Sequence, residues 1–167
     1  MIYTERYRSP LGDITLAADG SGIIGLWFEG QKYFERGIEN EEREDGSSPA
    51  LDSAVKWLDR YFAGEKPSPK ELQLSPRGSV FQKAVWRVLC GIPWGKTITY
   101  GDIAGELSVG RKTSPRAVGS AVGRNPISII IPCHRVVGAD GGLTGYAGGI
   151  ERKSWLLEHE GARNEHK

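Results

Sequence analysis

Asn125-Pro126-Ile127-Ser128-Ile129-Ile130-Ile131-Pro132-Cys133-His134-Arg135-Val136-Val137 is the stretch on which the reading of this chain turns. Its apolar run is short and almost unbroken, which reads as a buried segment. The run ends at a proline, and a cysteine and a histidine follow it. A thiol fixed at the end of a rigid buried segment, beside an imidazole, is placed as a nucleophile needs to be. On spacing alone, a cysteine that merely packs in the core is an equally good reading, because a lone Cys-His pair is a weak signal.

Downstream, Val137 to Gly149 is glycine-rich, with Gly145-Tyr146-Ala147-Gly148-Gly149 at its end. It lacks the spacing of a phosphate-binding loop, so nucleotide binding is discounted. A glycine-lined wall with one aromatic fits a pocket that admits a flat base. A final helix over 151–160 is expected to turn Trp155, Leu156 and Ile150 inward and to end at Gly161.

Upstream, residues 99–124 have the pattern of a helix-turn-helix. Thr99 caps a short helix holding Ile103, Ala104 and Leu107, and Val109 to Thr113 forms the turn. Ser114-Pro115 then opens a second helix as N-cap and N1. That helix, Arg116-Ala117-Val118-Gly119-Ser120-Ala121-Val122-Gly123, carries few side chains able to read base edges in a major groove. Small residues allow close backbone approach instead, which suits the minor groove and weak sequence preference. Arg116 argues against a helix packed wholly inside, since a charge there needs a partner or solvent.

Ser79-Val80-Phe81-Gln82 is a capping-box pattern opening an earlier helix. Its stripe is Phe81, Ala84, Val85, Val88 and Leu89, with Cys90 beside it as a core thiol. Pro67, Pro69, Pro76 and Gly78 mark a linker. Before the linker, Ile2–Arg8, Asp13–Ala18 and Ile23–Phe28 read as a three-stranded meander separated by strong turn sequences. Residues 35–48 read as an exposed acidic loop. A helix then opens at Ser48-Pro49 with Leu51, Ala54, Val55, Leu58 and Phe62 as its apolar stripe.

At 167 residues the chain can bury a real core in one domain or two small ones. Its net charge of +1 conceals an asymmetry. Residues 1–76 hold nine Lys and Arg against fourteen Asp and Glu, a balance of −5, and residues 77–167 hold thirteen against seven, a balance of +6. A basic carboxy-terminal half is the electrostatic footprint expected of a nucleic-acid binder. No apolar run approaches membrane-spanning length, and the start does not read as a signal peptide. Two cysteines make no disulfide framework, which suits a reducing cytoplasm. Two cysteines and three histidines show no paired zinc-ligand spacing, so no metal and no cofactor are expected.

Pro132-Cys133-His134-Arg135, with Asn125 before it and Gly145 to Gly149 after it, closely resembles the active-site signature of the O6-alkylguanine-DNA alkyltransferases, the methylated-DNA–protein-cysteine methyltransferases. The resemblance is dense from about Phe81 to Gly161 and weaker through the amino-terminal half. It implies an α+β protein: a small α/β support domain with a three-stranded antiparallel sheet (1–76), and a mostly helical domain with a winged helix-turn-helix-like element (77–167). It further implies a monomer that meets double-stranded DNA containing O6-alkylguanine, flips the damaged base and takes the alkyl group onto itself once. O4-alkylthymine would be a poorer substrate.

The same resemblance implies the roles of individual residues. Cys133 is the alkyl acceptor, and His134 acts on it through a bound water, oriented by Glu160. Asn125 is the hinge asparagine that braces the active-site turn and the helix-turn-helix. Arg116 fills the space left by the flipped nucleotide, with Ser114 and Ala117 meeting DNA in the same helical turn. Tyr100 is associated with rotating the target phosphate and donating a proton towards the leaving base. Tyr146 and Lys153 line the pocket, and the carbonyls of Cys133 and Val136 accept from the guanine amine. Ala147 departs from relatives that carry a serine there. A lesion-sensing binder is disfavoured because Cys133 is present. A cysteine hydrolase or redox protein is disfavoured because no second histidine or resolving cysteine is evident. The absence of a fused zinc domain before residue 1 points to a stand-alone repair protein.

Overall fold

The computed structural model describes residues 1–46, 48–108 and 112–162. Strands β1 (Ile2–Ser9), β2 (Gly12–Asp19) and β3 (Gly22–Phe28) form the expected antiparallel meander. A fourth strand, β4 (Arg43–Asp45), lies parallel to β1 and gives the order β3-β2-β1-β4. It falls inside the stretch expected to be an exposed loop. Three consecutive charged residues show no alternation that a pattern reading could detect, yet charge suits an edge strand because it discourages further pairing.

Every residue of β3 is buried, as its nearly continuous apolar sequence predicts for a strand covered on both faces. Trp27 folds back over Gly25: a Cβ there would lie 2.0 Å from the indole ring, so only glycine fits beneath it. The outer edge of β3 is also satisfied. Ile23 N–H donates to Gln73 O (2.9 Å) and Ser75 N–H to Ile23 O (2.7 Å), while Leu26 N–H donates to Pro126 O (2.8 Å) and Ser128 N–H to Leu26 O (3.2 Å).

Helix α1 (Pro49–Phe62) begins as predicted, with Ser48 Oγ accepting the Leu51 N–H. Its buried stripe is Leu51, Ala54, Trp57, Leu58 and Tyr61, so the two aromatics take the inward positions and Val55 and Phe62 are only half-buried. Trp57 stacks on Tyr61 at 5.6 Å and donates its indole N–H to Ser68 O at 2.8 Å. Large rings bury more apolar area than valine, which rotates the helix towards them.

Two compact units divide the chain: Met1–Arg77 with Pro126–Ile130, and Gly78–Asn125 with Ile131–Lys167. In the second unit, α2 (Val80–Leu89) opens with the full Ser79/Gln82 capping box. Its buried side chains are Val85, Trp86 and Leu89; Phe81, Ala84, Val88 and Cys90 are half-buried. Strand β5 (Ile98–Thr99) leads into α3 (Tyr100–Leu107), capped by Thr99. Helix α4 (Pro115–Gly123) is capped by Ser114, buries Val118, Ala121 and Val122, and exposes Ser114, Arg116 and Ala117. Positions 109–111 of the expected turn lie outside the described residues. A 3₁₀ turn at Cys133–Arg135 precedes β6 (Val136–Val137), which pairs in parallel with β5.

Helix α5 (Ile150–His159) buries Lys153, Leu156 and Leu157, whereas Trp155 is half-buried and Ile150 is 44% exposed. The inward stripe therefore carries a lysine, which an apolar pattern passes over. No helix among the described residues is long and apolar enough to cross a membrane.

Trp86 ties α2 to α4, its indole N–H donating to Ala121 O at 2.8 Å. Trp86→Phe removes that bond and leaves a gap against α4. The variant is expected to lose about 2 kcal/mol of stability in urea titration, with an unchanged denaturant slope.

Candidate active site

Residues 126–130 form a tight buried excursion in which Ile129 sits at φ +70°. Positive φ is rare for a β-branched residue and costs about 1–3 kcal/mol, which surrounding packing must hold in place. Asn125 pins the two ends together: its Nδ2 donates to Ile131 O at 2.8 Å, and its side chain also hydrogen bonds the Cys133 sulfur. The apolar run is thus a folded turn, with only a single bridge, Leu26 to Ile127, rather than a strand.

The backbone at Cys133 is a 3₁₀ turn and not extended, so successive side chains diverge by about 120° around its axis. Cys133 is 5% exposed and His134 fully buried. His134 Nε2 lies 2.7 Å from Glu160 Oε2, at the C-terminal cap of α5. His134 Nδ1 makes no hydrogen bond among the described residues.

Arg135, to which the sequence reading gave no role, engages the same carboxylate. Its Nε donates to Glu160 Oε1 at 2.7 Å, its Nη2 to Oε2 at 3.1 Å, and its Nη1 to Ile92 O at 2.6 Å. The signal that could have found it is a charged residue inside a buried motif, which requires a partner.

Lys153 has no exposed surface and donates to Thr144 O at 2.7 Å. The half-buried Tyr100 donates its hydroxyl to that same carbonyl at 3.2 Å. A Cβ at Gly119 of α4 would meet the Tyr100 ring at 3.8 Å, so the tyrosine sits close to that helix. Tyr146 is half-buried and Val136 fully buried. Cys133, His134, Glu160, Asn125, Tyr100 and Lys153 are therefore brought together, whereas Ser114, Arg116 and Ala117 lie on the exposed first turn of α4.

Burial governs the charge states here. It pushes the Cys133 thiol up, against the opposing pull of Asn125 and Lys153. It pushes His134 down despite Glu160. Burial would raise Glu160 too, but His134 and Arg135 overcome it and take the carboxyl down to about 2. These directions favour a protonated resting thiol and a neutral imidazole.

Burial also lowers Lys153 to about 8, partly offset by Cys133. The unfolded chain holds that proton more tightly, with an ordinary value of 10.5, so stability rises with pH across 8 to 10.5 and the burial penalty is complete below 8. Lys153→Met is accordingly expected to gain about 2 kcal/mol at pH 7 in urea titration, a gain that shrinks as pH rises through that window.

The family model of the 6-O-methylguanine DNA methyltransferase ribonuclease-like domain matches residues 2–76, and that of the DNA-binding domain of the same family matches residues 80–162. A methylated-DNA–protein-cysteine methyltransferase of Salmonella typhimurium is 52% identical over 166 residues, covering 94% of each chain. One of Methanosarcina acetivorans is 45% identical over 165 residues, covering 96% of this chain and 99% of its own. Among solved structures, Mycobacterium tuberculosis OGT in complex with DNA superposes with a TM-score of 0.83 at 42% identity, covering 96% of this chain and 93% of that one. The M. tuberculosis O6-methylguanine methyltransferase gives 0.80 at 43%, covering 100% and 97%. With both halves matched and relatives this similar over nearly their full length, the chain belongs to the 6-O-methylguanine DNA methyltransferase family.

Proposed function

We propose that this protein repairs DNA by direct reversal, moving the alkyl group of O6-alkylguanine irreversibly onto Cys133 in a single turnover. The observation that carries this reading is the seating of one buried thiol against Asn125, beside the His134–Glu160 pair. The family's named activity, transfer to a protein cysteine, requires such a group.

The geometry supports the following chemistry. The alkyl carbon is saturated, so the sulfur must attack in line with the carbon–oxygen bond. The thiol proton passes to His134 Nδ1 through a water, a new carbon–sulfur bond forms, and the old bond breaks with its electron pair passing to guanine O6. Tyr100, whose hydroxyl is held protonated by burial, supplies a proton to the departing base. A thioether is not readily hydrolysed, so the protein is consumed.

The target atom lies inside the duplex, so the base is extruded before transfer. The exposed first turn of α4, with Ser114, Arg116 and Ala117, supports entry from the minor groove, Arg116 filling the vacated stack. Tyr146, Lys153 and the carbonyls of Cys133 and Val136 receive the base. O4-alkylthymine is the poorer substrate. Residues 1–76 serve as a support domain, and the protein works as a cytoplasmic monomer.

Single-turnover transfer from a duplex bearing one O6-methylguanine tests these roles. Cys133→Ala is expected to bind the duplex with wild-type affinity and accept no methyl group. Arg116→Ala is expected to slow transfer from the duplex about tenfold or more while reacting normally with free O6-benzylguanine, which needs no flipping. Wild-type rates on duplex from Arg116→Ala would contradict its assignment.

A further inference from the structure

Glu160 offers His134 a single oxygen, and that oxygen is shared. Oε2 lies 2.7 Å from His134 Nε2 and accepts from Arg135 Nη2 (3.1 Å), while Oε1 is taken by Arg135 Nε (2.7 Å). The guanidinium thus grips the carboxylate side-on with two parallel bonds, the geometry in which arginine fixes orientation as well as charge. Its remaining arm reaches Ile92 O at 2.6 Å, in the loop after α2. The arginine is 4% exposed, so neither end of this clamp is free to swing.

We propose that Arg135 is a positioning residue for proton transfer, acting through Glu160 to fix the tautomer of His134. An ionised Glu160 can only accept, so His134 Nε2 must carry the hydrogen, and Nδ1 is left as the basic atom. A protonated Glu160 could instead donate to Nε2, and the ring would lose its basic Nδ1. By occupying both oxygens, Arg135 keeps the carboxylate charged and in register. The inference rests on the reading of His134 as the group that takes the thiol proton.

The charged and titratable groups facing His134 agree with this assignment. From α5 and its C-terminal cap they are Lys153 and Glu160; from its own turn, Arg135. Glu160 favours the imidazolium, whereas burial, Arg135 and Lys153 disfavour it. Arg135 therefore shares the carboxylate's charge and helps keep the imidazole neutral, ready to receive a proton.

The test is ¹⁵N NMR of His134 together with the pH profile of methyl transfer, in wild-type protein, Arg135→Lys and Arg135→Gln. Wild-type protein is expected to show a protonated Nε2 and a bare Nδ1. In the variants the tautomers are expected to mix, the acidic limb of the profile to move to higher pH, and transfer at pH 7 to fall about 10- to 100-fold. Arg135→Lys keeps the charge but loses the two-point grip, and should lie between the other two. A folded variant with the wild-type tautomer and profile would overturn the proposal, even if it were less stable. So would a wild-type ring protonated at Nδ1, a result that needs no variant to fold. Failure of wild-type protein to methylate Cys133 would instead strike the underlying function, which the NMR reading leaves separate.

Discussion

The carboxylate of Glu160, buried at the C-terminal cap of α5, holds His134 on one oxygen and Arg135 on both. Around it the active-site turn, the end of α5 and the loop after α2 are tied by hydrogen bonds that include charged groups, the stronger kind in a dry interior. Removing one partner of such a cluster leaves a buried charge uncompensated, at a cost of roughly 3–5 kcal/mol. This arrangement sets where His134 can stand, and through it which side of the imidazole is available to the proposed alkyl acceptor.

A second consequence concerns the thiol. Burial shields Cys133 from water but makes its thiolate harder to form, and the same burial weakens Lys153 as a cation. Cys133 and Lys153 therefore each prefer the neutral form, while the charge on either would favour the charge on the other. A lysine with no exposed surface in an otherwise apolar stripe is a poor choice for stability. Its presence fits a site shaped by chemistry at some cost to the fold, as does the left-handed Ile129.

Much of this was legible in the sequence where local chemistry decides the outcome. The meander strands and the caps at Ser48, Ser79, Thr99 and Ser114 appear where turn and capping residues placed them. What escaped depends on tertiary context. The charged strand β4 has no periodicity and exists because β1 offers it an edge. Trp57 and Tyr61 displace Val55 and Phe62 from the inward face through stacking that no helical pattern contains. Lys153 was recognised by resemblance alone, since its burial follows from a partner, Thr144 O, nine residues away in sequence. Arg135 stood in plain view beside His134, but its purpose is visible only once Glu160, 25 residues later, is seen to meet both.

Intact-protein mass spectrometry after mixing the protein with a duplex carrying one O6-methylguanine tests the central claim most directly. Acceptance by Cys133 predicts the gain of a single methyl group, mapped by peptide digestion to that cysteine and stopping at one equivalent. An unchanged mass on a protein that still binds the lesion duplex, or a methyl group mapped to Cys90, would contradict it.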